Sequence, residues 1–105
     1  MQSAQGDLAG ALKNYRESLG IVEKLAKQDP TNADWQNNAA WGRYCIAKVL
    51  IQIKDSDRNE ASRLVVEGID IMKRLEHQGA LDVNAQDTLN KLNELASTLT
   101  PSSNR

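Results

Sequence analysis

The chain of 105 residues contains no phenylalanine, one cysteine, one histidine and two prolines. A single cysteine forms no internal disulfide, which fits a reducing compartment. One histidine beside one cysteine leaves too few donors for a zinc spacing, so no metal and no cofactor is expected. Net charge is nearly absent: 13 basic residues stand against 14 acidic ones, for a formal charge of -1. That balance excludes the strongly basic surface by which nucleic-acid binders are read from composition. No apolar run approaches the roughly 18 residues of a membrane span. The opening Met1–Asp7 has neither a basic segment nor an apolar one, so it does not read as a signal peptide. These absences together predict a cytoplasmic protein with neither nucleic acid nor membrane as partner. Alternating runs of valine, isoleucine and threonine are missing too, which excludes a sheet.

Helical spacing is what the sequence does have, in four segments. In the first, about 7–28, Leu8, Ala11, Leu12, Tyr15, Leu19, Val22 and Leu25 recur at steps of three and four. Asp7 is its expected N-cap, and Asp29-Pro30 its end. The second, about 32–54, carries two stripes. One holds Trp35, Ala39, Gly42, Ile46, Val49 and Ile53, the other Ala40, Tyr44, Ala47 and Ile51. A helix apolar on two sides needs two neighbours. Thr31 and Asp34 have capping-box spacing before it, as do Asp57 and Glu60 before the third helix, about 58–78. Gly79 is the expected stop of that helix, and Asp82 the cap of the fourth, about 83–98. The fourth has a single stripe, and 99–105 reads as a frayed tail.

Shifted against itself by about 50 residues, the chain repeats. Ala11 falls on Ala61, Tyr15 on Val65, Ser18 on Gly68, Leu19 on Ile69 and Leu25 on Leu75. Small residues match as well as large ones, as close helix packing in an array of helix pairs requires. Ala11, Tyr15, Ser18, Ala61, Val65 and Gly68 are therefore the expected repeat-packing positions.

The run Gly6-Asp7-Leu8-Ala9-Gly10-Ala11-Leu12-Lys13-Asn14-Tyr15-Arg16-Glu17-Ser18-Leu19 resembles the second helix of a tetratricopeptide repeat, and Asp29-Pro30-Thr31-Asn32-Ala33 resembles the corner between repeats. The stretch Glu17–Trp35 is similar to the long-helix arrays of bacterial multidomain proteins, whose repeats exceed the usual roughly 34 residues. The chain departs from that pattern at Arg43, Ile46, Ala47 and Leu50, where the family has Trp, Leu, Gly and Tyr. The resemblance implies an all-α fold of antiparallel helix hairpins, a solenoid fragment of about four helices in one domain. It also implies that the chain starts at a second helix, whose first partner is missing or belongs to a longer chain.

Catalytic groupings are not found. His77 near a helix C-terminus suits the dipole there. Cys45 between Tyr44 and Ile46 reads as a small hydrophobe rather than a reactive thiol. Capping accounts for Asp57 and Asp82 better than acid chemistry does, and the pairs Asp55/Asp57 and Asp82/Asp87 match no metal loop. No enzyme is expected. The resemblance places Trp41, Tyr44, Lys48, Ile51 and Gln52 near the groove of such arrays, where an amphipathic aromatic anchors a partner peptide. Trp41 serves equally well as packing against a missing helix or as a dimer contact. The best-known clamp of the family grips a C-terminal carboxylate with Lys and Asn; here the positions hold Tyr44 and Lys48, with no matching Asn. The expected function is a non-enzymatic scaffold that binds a protein or peptide segment. The alternative is a homodimerisation element, or a fragment of a larger multidomain signalling protein.

Overall fold

A computed structural model describes the backbone of residues 4–53 and 58–99, with side chains from residue 7 onward. The expected cap at Asp57, the Asp55/Asp57 pair and the tail beyond residue 99 lie outside the described residues. The elements are α1 (Ala4–Gln28), α2 (Ala33–Gln52), α3 (Arg58–His77) and α4 (Val83–Leu99). The chain is all-α, and the described residues contain no strand.

The helix ends correct two expected caps. Asp7 lies inside the first turn of α1 rather than before it. Ala4 and Gln5 are good helix formers and let the helix begin earlier. Asp7 still sits where the helix dipole favours an anion. α2 is capped by Asn32, not Thr31: the Asn32 side-chain oxygen accepts from the Asp34 and Trp35 amides at 3.0 and 3.2 Å. The Thr31 hydroxyl is turned instead to the Asp29 carboxylate. Asp82 caps α4, accepting from the Ala85 amide at 2.8 Å.

Gly79 ends α3 in the left-handed region at φ 70°. The Ala80 amide donates to the Leu75 carbonyl, and the Gly79 amide to that of Glu76, which is the Schellman pattern. A side chain there would meet no neighbouring atom, so the cost of adding one is conformational. Gly79→Ala is expected to lower stability by about 1 kcal/mol in urea unfolding. An unchanged midpoint would show that the turn does not need glycine.

Neighbouring helices run antiparallel. Leu19 lies against Gly42, and further along α1 the Ala26 carbonyl accepts from Gln36, earlier in α2. Likewise Arg43 faces Glu67 while Ala40 faces Gly68. α2 is the centre: it packs on α1, α3 and α4, as its two apolar stripes require. The domain is a slab of 43 × 38 × 21 Å, two helix diameters thick. Ile46, Val65, Met72, Leu75 and Leu92 are its largest wholly buried side chains.

Among the described residues α1 makes no close backbone approach to α3. Side chains span the gap. Arg16 reaches both Glu60 carboxylate oxygens, at 3.0 and 3.2 Å. Arg43, its side chain only 14% exposed, bonds Glu23 of α1, Glu67 of α3 and the Ala39 carbonyl. Arg43 is thus a cation shared by α1 and α3.

The repeat is unequal in its burial. Ala61, Val65 and Gly68 are buried. Their counterparts in α1 are not: Ala11 is half-buried, and Tyr15 and Ser18 are exposed. The expected packing role at Tyr15 and Ser18 is thus corrected. α3 packs on both α2 and α4, whereas the backbone of α1 comes close to that of α2 alone among the described helices.

Candidate functional site

α2 turns Trp41, Cys45, Lys48 and Gln52 outward at steps of three and four, with Tyr44 beside them. The opposite arc of the same helix is buried, so this face can reach solvent without loss of core. Trp41, Tyr44, Cys45, Lys48, Val49 and Gln52 line a groove of about 370 Å³, closed by Tyr15 of α1 and Lys91 of α4. Three of the four aromatic residues in the chain meet there.

The polar groups of the groove are held in place. The Trp41 and Tyr44 rings stack with centroids 5.0 Å apart and planes 29° from parallel. The Lys48 ammonium lies 5.7 Å from the centre of the Tyr44 ring, and that of Lys91 lies 5.2 Å from the Trp41 ring. Both distances are within reach of a cation–π attraction. Lys91 also pairs with Asp87, one turn earlier on α4, at 3.1 Å. Gln52 is tied back by an amide hydrogen bond to the Lys48 carbonyl. Burial pushes the Cys45 thiol up, and the Lys48 and Lys91 charges only partly oppose it. A thiol so placed stays protonated at neutral pH and is a poor nucleophile. Aromatic surface, two ammoniums and an amide suit contact with a partner.

Four of the five residues expected in the groove are brought together here. Ile51 is not: it is partly buried and packs on the core cluster. It shares a stripe with the buried Ala40 and Ala47, whose surroundings it joins. Tyr15, Cys45, Val49 and Lys91 complete the lining, and sequence reasoning did not place them there. Lys91 could have been found, because it stands at the repeat equivalent of Trp41, the same step of about 50 residues.

A second, larger groove of about 540 Å³ opens on the far side of α2, between the C-terminal halves of α1 and α3. Its floor is Ala26, Ala39 and Ile71, and it contains no aromatic residue. Arg43 in it is already engaged by two carboxylates. Size alone favours this groove, but the aromatic one has the anchoring groups. Among the described residues no three of His, Cys, Asp and Glu converge on one point. None of the described helices is long and apolar enough to cross a membrane. His77 closes α3 as an exposed residue of its last turn. No family model, curated protein or solved structure matches the chain.

Proposed function

We propose that the chain is a non-enzymatic interaction module of tetratricopeptide type, a cytoplasmic scaffold that seats a partner segment in the α2 groove. The observation that carries this reading is the gathering of Tyr15, Trp41 and Tyr44 with Lys48 and Lys91 in one open groove. Trp41 stays 38% exposed, and a large amphipathic ring left half in water is the usual anchor at a binding surface. The scaffold beneath it is rigid, because α2 is packed on three helices.

Two tryptophans give two indole N–H resonances, which makes the test direct. Peptides selected on the immobilised protein from a random library are expected to shift the Trp41 signal and leave that of Trp35 in place. Trp41→Ala should abolish their binding, and Asn90→Ala, on the exposed face of α4, should not. Selected peptides that leave the Trp41 indole unmoved would sink the groove assignment.

One observation favours a second reading, self-association. Ala11, Tyr15 and Ser18 form an incompletely covered strip on α1 that continues into the groove through Tyr15. A second copy could cover it symmetrically. Sedimentation at several concentrations separates the two: a mass that doubles with concentration, and stops doubling in Trp41→Ala, would favour the dimer.

A further inference from the structure

We infer that the α2 groove selects an internal acidic segment of its partner, in which two carboxylate side chains meet Lys48 and Lys91 and an apolar side chain between them lies against Tyr15 and Trp41. The inference rests on the groove reading above and adds the chemistry of the occupant. Its first support is charge. The lining holds two ammoniums, and none of the described residues that line it is acidic, in a chain whose formal charge is -1. The local excess is therefore opposite in sign to the whole, and a basic segment would meet like charge.

The second support is preorganisation. Each ammonium is already held over a ring, at 5.7 Å for Lys48 and 5.2 Å for Lys91. A free lysine loses rotamer freedom when it grips an anion; these two have given up part of it before binding. The same contacts, with the stacking of the two rings, occupy faces of Trp41 and Tyr44. A proline-rich segment, which docks on open aromatic faces, finds them occupied. What the rings leave free is edge and apolar flank, which suits an aliphatic side chain.

The third support concerns the form of the anion. Lysine is a point charge and lacks the planar fork that arginine offers to one carboxylate. Two separate lysines on two helices suit two side-chain carboxylates better than a single chain terminus. Asp87 is the only described acid paired with either lysine, at 3.1 Å from Lys91. Both partners in that pair are substantially exposed, so the bond is weak and readily shared with an incoming carboxylate.

The test uses the full chain and a fluorescein-labelled peptide alternating glutamate and leucine, acetylated and amidated at its ends. A twin carries glutamine for every glutamate. By anisotropy at low salt, the acidic peptide is expected to bind at least about tenfold tighter than its twin. Its affinity should fall as salt is raised. Lys48→Glu and Lys91→Glu should each weaken it about tenfold, Lys48→Gln by less, and Lys73→Glu on exposed α3 surface by under about twofold. Circular dichroism melting confirms that each variant folds. If the glutamine twin binds equally well and Trp41→Ala abolishes both, the acidic inference falls while the groove reading stands. If charge reversal at Lys48 and Lys91 leaves acidic binding unchanged, if a free C-terminal carboxylate is required, or if neither peptide binds, the inference is overturned.

Discussion

Gly68→Leu is expected to destabilise the domain by about 3 kcal/mol, while Ser18→Leu, its repeat counterpart, stays within about 0.5 kcal/mol of the parent. The contrast comes from what each position faces. A methyl placed on Gly68 would stand 3.0 and 3.1 Å from the two Leu92 methyls and 3.5 Å from the Ala40 carbonyl oxygen. Leucine adds three more carbons to a space already too tight for one. The site is thus bounded by a side chain of α4 and by the backbone of α2, so α3 has neighbours on two helices to accommodate. Ser18 is exposed on α1, and leucine there gains slightly in helix propensity. Guanidinium unfolding of the two variants in parallel is the measurement. Equal losses would mean that α1 is covered on that side as α3 is. A small loss at Gly68 would mean that α3 and α4 do not pack as described.

The same contrast marks how far the sequence could be read. The four helices, their order and their antiparallel pairing were legible because apolar residues recur at helical steps and the connectors are short. Gly79 and Asp82 were legible as stop and cap, because each residue type has one dominant reason to stand at such a position. Asn32 was missed as a cap because Thr31, one residue earlier, has the better-known spacing to an acid. An open side on α1 was what the resemblance implied. That Tyr15 would then belong to a groove could not be read from it: its match to Val65 argued for packing, and Val65 is indeed buried while Tyr15 is 38% exposed. Trp41, Tyr44, Lys48 and Gln52 were expected together because the resemblance places them near a groove. Ile51 came with them by the same resemblance, yet it shares its stripe with the buried Ala40 and Ala47 and packs on the core. Arg43 was noticed only as a departure. Its role depends on Glu23 and Glu67, distant in sequence and on two different helices, so no local pattern announces it.

Leu92→Ala should cost about 3 kcal/mol or more, since Leu92 is wholly buried and its deletion leaves a cavity between α3 and α4. A more telling result lies in its coupling to Gly68. Gly68→Ala alone carries two opposed effects: a gain of about 1 kcal/mol in helix propensity, and a clash that forces the Leu92 methyls to give way. These nearly cancel. In the Leu92→Ala background the clash is gone, and the new methyl enters space the leucine has vacated. There Gly68→Ala should stabilise by about 1–2 kcal/mol, a coupling well above the roughly 0.3–0.5 kcal/mol expected of independent sites. Gly42 and Leu19 repeat the arrangement between α1 and α2 with the sizes exchanged: the glycine is on α2, and Leu19 approaches the added methyl at 3.0 Å. In one hairpin the first helix supplies the large residue, in the other the small one. A double-mutant cycle at Gly68 and Leu92 that comes out additive would mean that the two helices adjust independently, and that the small-residue pattern does not set their separation.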